Sequence, residues 1–100
     1  MTENKFFKLR PKADQDLANI YHYSVQEFGE KRAELYIKDL ATSFRKLAKK
    51  SELGKDYSFV RPNLLAYPVV SHVVFYKVSD WGITILRVLH RSMDYGRHLK

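Results

Sequence analysis

The 100-residue sequence contains no cysteine, which excludes disulfide bonds, thiol catalysis and cysteine-ligated zinc. It has few glycines, and none of them stands in a phosphate-binding pattern such as GxGxxG or GxxxxGK[ST]. No apolar run approaches the ~18 residues of a membrane-spanning helix, and residues 1–5 do not resemble the start of a signal peptide. We therefore expect one domain over residues 1–100, located in the cytoplasm, without membrane attachment.

Acidic residues are also scarce relative to basic ones. Lys and Arg number 18 against 11 Asp and Glu, which gives a formal net charge of +7. Such a surface attracts anionic partners, whether nucleic acid, an anionic membrane or an acidic protein. The spacing of His22, His72, His90 and His98 matches no zinc motif. We therefore expect no metal site and no cofactor.

Hydrophobic periodicity predicts a helical hairpin after a first strand. Residues 5–10 alternate partly and read as a short edge strand that ends before Pro11. Residues 11–28 and 30–50 each carry an apolar stripe at helical spacing, and Gly29 separates them. Two amphipathic helices joined by about one glycine fold back on each other as an antiparallel pair.

Beyond a turn-rich segment at residues 51–62, the period becomes that of strands. Residues 63–67, 71–78 and 83–90 are the predicted strands, residues 79–82 form a hairpin loop, and residues 91–100 a short helical or irregular tail. The element order β-α-α-β-β-β predicts an α+β fold in which the helical hairpin packs on an antiparallel sheet.

Strict alternation places each residue of the last two strands on one of two faces. One face is predicted to carry Val74, Tyr76, Val78, Thr84, Leu86, Val88 and His90, and the other Val73, Phe75, Lys77, Ile83, Ile85, Arg87 and Leu89. Both sets are largely apolar, so one face is expected under the helices. The other face must be covered by something else.

Two groups of residues have side chains suited to function. At the end of the last strand, Arg87, His90, Arg91 and Tyr95 would supply a phosphate clamp, a proton carrier and a base-stacking ring. Such parts suit a metal-free ribonuclease, but composition alone favours a solvated strand end in which Asp94 neutralises Arg91 or Arg97.

The second group lies on the helices, at or beyond the edges of their apolar stripes. Tyr23, Val25 and Leu35 are either isolated surface residues or a docking groove for a partner's amphipathic helix.

Taken together, these segments resemble the RelE/ParE toxin superfamily, and within it the ParE branch. The segments that carry the resemblance are residues 8–13 (KLRPKA), 60–64 (VRPNL), 67–69 (YPV), 72–78 (HVVFYKV) and 85–94 (ILRVLHRSMD). Their order and spacing, which span nearly the whole chain, are more specific than any one of them.

The resemblance implies the toxin of a type II toxin–antitoxin system with a RelE-like fold. ParE-type toxins inhibit DNA gyrase by binding it and thereby block replication, and a ParD-like antitoxin neutralises them. By this resemblance the chain is a protein inhibitor with no sequence-specific DNA binding of its own. The expected target-binding residues are Arg61, His72, Arg87, His90, Arg91, Met93 and Asp94. The expected antitoxin-binding residues are Tyr21, Tyr23, Val25, Leu35, Phe75 and Ile85.

The alternative within the superfamily is a ribosome-dependent mRNA endoribonuclease of the RelE type. It would use Arg87, His90, Arg91 and Tyr95 as catalytic residues. The central strand consists mostly of Val, Phe and Tyr, which is sparse for holding a phosphodiester, so the sequence favours binding over catalysis.

Overall fold

The computed structural model describes residues 5–99, so the predicted features at residues 1–4 and at Lys100 lie outside the described residues. In chain order the elements are β1 (Phe6–Leu9), α1 (Pro11–Phe28), α2 (Glu30–Lys49), β2 (Lys55–Asp56), β3 (Leu65–Val69), β4 (His72–Ser79), β5 (Gly82–His90) and α3 (Tyr95–Leu99). The α+β class and the helical hairpin on a sheet are confirmed. No helix among these residues is long and apolar enough to span a bilayer.

A single glycine joins the two long helices. Gly29 has a φ of 90°, and its backbone N–H donates a 2.9 Å hydrogen bond to the Val25 carbonyl at the end of α1. Its own carbonyl accepts the 3.1 Å bond from Ala33 that begins α2. Glycine adopts this backbone conformation without a steric penalty. The chain therefore reverses within one residue, which brings α1 and α2 side by side.

The sheet has the strand order β1-β5-β4-β3-β2 and is mixed rather than wholly antiparallel. The strands β2 to β5 pair antiparallel, but β1 pairs parallel to β5 along its whole length. The opposite edge of the sheet is β2, a two-residue strand within the segment predicted as a turn.

A β-bulge in β5 changes which side chains share a face. Phe75 pairs with Arg87 and Tyr76 with Ile85, which leaves Leu86 without an opposing residue. Ile85 and Val88 consequently lie in the helix-side core, whereas Leu86 lies in the core on the other side. The predicted faces are therefore wrong before the bulge, where Ile83 and Ile85 lie on the same side as Tyr76. They are right after it, where Val88 lies with Val74 and Leu89 with Phe75, because the extra residue shifts the two-residue period.

Each face of the sheet has its own hydrophobic core. The helix-side core includes Leu40, Phe44, Tyr76 and Ile85. The core on the outer face consists of Leu64, Ala66, Phe75, Leu86, Leu89 and Leu99, with Tyr57, Val60, Val73 and Tyr95 packed against it. The cover predicted for the second face is therefore the chain's own loop at residues 57–64 together with α3. We call these two segments the outer cover.

Candidate functional site

A groove of about 820 Å³ opens between the helical hairpin and one end of the sheet. Its walls are the C-terminal half of α1 and the N-terminal half of α2, and its floor is the β3–β4 turn with the end of β5. The lining residues are Asn19, Ile20, Tyr23, Ser24, Phe28, Arg32, Leu35, Tyr36, Asp39, Val70, Ser71, His72, His90, Ser92 and Met93. We call this site the hairpin groove.

The rim of the hairpin groove is apolar and exposed to solvent. Nine large apolar side chains are exposed among residues 5–99, and five of them line this groove: Tyr23, Phe28, Leu35, Val70 and Met93. Single exposed apolar residues are ordinary on a protein surface, whereas a contiguous group marks an interaction site. The concentration of exposed apolar side chains in one place is typical of a surface that binds another molecule.

The hydroxyl of Tyr36 organises the floor of the groove. It accepts a 3.3 Å hydrogen bond from the backbone N–H of Ser71 and lies 3.1 Å from the Val69 carbonyl. The same oxygen lies 2.6 Å from Nδ1 of His72. Burial raises the pKa of Tyr36, so the phenol stays neutral. A residue of α2 thereby fixes the β3–β4 turn against the helical hairpin.

Two histidines sit edge to face beside this turn. The ring centroids of His72 and His90 are 5.3 Å apart, at an interplanar angle of 85°. Burial, followed by the neighbouring His90, lowers the pKa of His72 to about 4. Nδ1 of His90 accepts a 3.1 Å hydrogen bond from the backbone N–H of Ser92. His72 is therefore uncharged at neutral pH and is a poor general base there.

Arg87 is held in an ion pair. Its Nε and Nη2 each donate a 2.8 Å hydrogen bond to the carboxylate of Asp16 on α1, and its Nη1 lies 3.3 Å from the His98 carbonyl. The Asp16 carboxylate also accepts a 2.9 Å bond from the Val88 backbone. The hydrogen bond to Asp16 raises the pKa of Arg87. This cluster ties α1 to β5 and to α3, and we call it the Asp16 latch.

The remaining predicted target residues are dispersed. Arg91 and Asp94 are exposed just after β5, and the backbone N–H of Arg91 donates to Ser71 at 3.0 Å. Arg61 lies half-buried in the outer cover. The hydroxyl of Tyr95 donates to the Arg91 carbonyl at 3.0 Å, and its ring packs 5.0 Å from that of Phe75. Of the predicted target residues, His72, His90 and Met93 line the groove.

The predicted antitoxin-binding residues also differ in position, since only some of them line the groove. Tyr23 and Leu35 line the groove with 61% and 54% of their surface exposed, whereas Tyr21 and Val25 are half-buried outside its lining. Phe75 and Ile85 are 0% exposed, one in each hydrophobic core, so a docked molecule does not reach them in this conformation.

Sequence reasoning missed several residues that line the groove. Phe28 and Tyr36 fall on the apolar stripes of residues 11–28 and 30–50, which predict core positions, and Arg32, Asp39 and Val70 carry no motif. The unusual feature of Val70 is visible only in the three-dimensional structure, where its φ of 52° is rare for a β-branched residue. Among residues 5–99, no group of three or more His, Asp or Glu side chains is arranged to hold a metal ion.

Comparison with known proteins gives the class to which this fold belongs. A family model described as the ParE toxin of the type II toxin–antitoxin system parDE matches residues 7–95. The chain is 34% identical over 95 residues to Toxin ParE1 of Caulobacter vibrioides, covering 95% of this chain and 98% of that protein. It is 31% identical over 94 residues to Toxin ParE1 of Mycobacterium tuberculosis, covering 93% and 96%.

Solved structures share the fold at lower identity. The chromosomal ParDE toxin–antitoxin system from P. aeruginosa matches with a TM-score of 0.75 and 21% identity, over 89% of this chain and 98% of that one. The RelBE2 toxin–antitoxin complex from Mycobacterium tuberculosis matches with a TM-score of 0.60 and 16% identity, over 93% and 98%. The architecture is that of type II toxins. Within that class, the chain belongs to the ParE toxin family.

Proposed function

We propose that this toxin binds DNA gyrase and blocks replication, and that a ParD-like antitoxin neutralises it by occupying the hairpin groove. One observation carries the proposal. Tyr23 and Leu35, expected to bind antitoxin, line the same groove as His72, His90 and Met93, expected to bind the target. A molecule seated in the groove covers both sets, so antitoxin and gyrase would compete directly for one surface.

The shape and charge of the groove support an antitoxin segment as its occupant. An amphipathic helix places its apolar face into a groove of this kind, with side chains at successive turns as anchors. The net charge of +7 favours an acidic partner and speeds its encounter with the toxin. The structural neighbours from P. aeruginosa and M. tuberculosis are both described as toxin–antitoxin assemblies, which is consistent with this arrangement.

The environment of the candidate catalytic residues supports binding rather than bond cleavage. In the Asp16 latch, the guanidinium of Arg87 is already paired with the carboxylate of Asp16. The Tyr95 hydroxyl donates to the Arg91 backbone carbonyl, and Nδ1 of His90 accepts a hydrogen bond from the Ser92 backbone N–H. Cleavage of a phosphodiester would call for several cationic side chains around it, whereas the groove mainly offers apolar contacts.

The second candidate function is a ribosome-dependent endoribonuclease. The pair His72 and His90 favours it, because the two rings lie in contact beside the exposed Arg91. The likeness to the RelBE2 complex extends only to the fold. For either function we place the toxin in the cytoplasm, where gyrase, ribosomes and antitoxin are all accessible.

Purified toxin distinguishes the two functions. We expect it to inhibit DNA supercoiling by gyrase and to accumulate gyrase–DNA cleavage complexes, while mRNA in a translating extract stays intact. Met93→Glu places a charge on the groove rim and should weaken inhibition by about tenfold or more. His22→Ala, an exposed histidine on α1 outside the groove lining, is the matched control and should inhibit normally. Normal supercoiling together with cleaved mRNA would overturn the gyrase proposal.

Co-purification tests the antitoxin site separately. With a ParD-like antitoxin as the probe, Leu35→Glu should reduce affinity by about tenfold or more, because it buries a charge in an apolar contact. The control is Leu53→Glu, since Leu53 is 41% exposed and lies outside the groove lining. Equal retention of antitoxin by both variants would place its binding site elsewhere.

A further inference from the structure

The turn between β3 and β4 contains an unfavourable backbone conformation. Among residues 5–99, only Asn63 and Val70 have a positive φ without being glycine, at 63° and 52°. Asparagine tolerates this region because its short polar side chain bonds locally. A β-branched residue does not, because its Cβ substituents crowd the backbone, so Val70 is the outlier.

The type of turn makes the choice of valine more unusual. Val69 pairs with His72, so Val70 and Ser71 form a two-residue hairpin loop. In such loops a positive φ at the first position is normally supplied by glycine. Glycine or asparagine at position 70 would fit this backbone with less strain.

Burial in the toxin itself does not account for the valine either. Its side chain is 72% exposed and lies on the rim of the hairpin groove. The backbone on both sides is held by the Tyr36 hydroxyl through Val69 and Ser71, so the turn cannot easily relax. Strain of this kind concentrates at functional positions, where the surrounding structure maintains it.

We infer that Val70 is an apolar anchor for the antitoxin, displayed on a strained turn that Tyr36 holds in place. This inference rests on the proposal that the antitoxin occupies the hairpin groove. The occupant would present an aliphatic or aromatic side chain to Val70 and would also meet Met93, which is 45% exposed and lines the same groove. The charge of +7 and the membership of a toxin–antitoxin family favour the antitoxin over other occupants.

The inference predicts opposite effects on stability and on binding from one substitution. Val70→Asn relieves the strain, so the melting temperature of the free toxin should rise by about 4 °C or more. The same change removes the anchor, so the dissociation constant for the antitoxin should increase by about tenfold or more. Val70→Ile keeps both the strain and the apolar surface, and should match the wild type in both measurements. Differential scanning calorimetry and titration calorimetry provide the two values.

Asn63 provides the matched control, because its φ is also positive and it lies outside the groove lining. Asn63→Val introduces strain there, and should lower the melting temperature while leaving antitoxin affinity within about twofold. If any change in the stability of the toxin altered binding, Asn63→Val would change the antitoxin affinity as well, and that result would contradict the inference.

The remaining outcomes separate this inference from the proposed function. If Val70→Asn binds antitoxin like the wild type, Val70 is not an anchor, although the antitoxin still binds the toxin. If the wild-type toxin fails to bind the antitoxin, both proposals are overturned. If sedimentation shows that Val70→Asn abolishes self-association of the free toxin and leaves antitoxin affinity unchanged, the occupant is a second copy of this chain.

Discussion

The outer face of the sheet and the hairpin groove are both apolar, but only the first is covered by the toxin's own chain. On the outer face, loop 57–64 and α3 seal the core so well that Leu99 is 1% exposed. In the groove, Leu35 and Val70 remain 54% and 72% exposed. Apolar side chains of the first region stabilise the fold, whereas those of the second are available to a partner. The difference lies in the covering segment, since the residue types are alike.

The largest expected effect comes from breaking the Asp16 latch, which joins the helices to the outer cover. Asp16→Ala removes the carboxylate that accepts from Nε and Nη2 of Arg87 and from the Val88 N–H, and should lower the free energy of unfolding by about 3 kcal/mol. Glu27→Ala, an exposed carboxylate on the same helix, should change it by less than about 0.5 kcal/mol. Urea denaturation measures both. Equal effects would show that the latch has no stabilising role.

The same substitution made in each region tests the comparison directly. Leu99→Ala removes a buried side chain of the outer cover and should lower the free energy of unfolding by about 2–3 kcal/mol. Leu35→Ala removes an exposed one and should lower it by less than about 0.5 kcal/mol. Thermal or urea unfolding of the free toxin provides the values. A large loss for Leu35→Ala would mean that the groove serves stability rather than binding.

A smaller effect is expected from the floor of the groove. Tyr36→Phe deletes the hydroxyl that bonds to the β3–β4 turn, and should lower the free energy of unfolding by about 1 kcal/mol. Hydrogen exchange of the Ser71 amide should also become faster, because its acceptor is lost. Tyr23→Phe, at an exposed position of the same groove, should leave both quantities unchanged. Unaltered exchange in Tyr36→Phe would show that the turn keeps its conformation without the Tyr36 hydroxyl.

The smallest effect is a pH dependence specific to His72. The folded protein lowers the pKa of His72 to about 4 from its ordinary 6.5, so the unfolded chain binds more protons between these values. Stability therefore decreases as the pH falls from 6.5 towards 4. The ring is half-buried, so after allowance for solvent screening the loss is below about 1 kcal/mol. Unfolding midpoints at pH 7 and pH 4.5 should differ less in His72→Gln than in the wild type, and equal differences would contradict the burial of this ring.

The helices and most strands could be predicted because their signals are local. The apolar stripes of α1 and α2, and Gly29 between them, are patterns of neighbouring residues, and the structure reproduces them almost residue for residue. The β2 strand was missed because two residues carry no period. The bulge at Leu86 was missed because alternation assumes that opposing strands have equal numbers of residues.

By itself, the amino-acid order determined the two long helices, most of the strands, the α+β class and the family resemblance. It also determined that apolar residues such as Tyr23 and Leu35 lie outside the core stripes of the helices. Only the tertiary structure decided that these residues meet His72, His90 and Met93 in one groove, and that Arg87 is bound by Asp16, 71 residues away. It also decided that valine occupies a turn position suited to glycine. The physical reason is that periodicity reports a residue's neighbours along the chain, whereas a groove depends on strand order, register and the path of the loops between them.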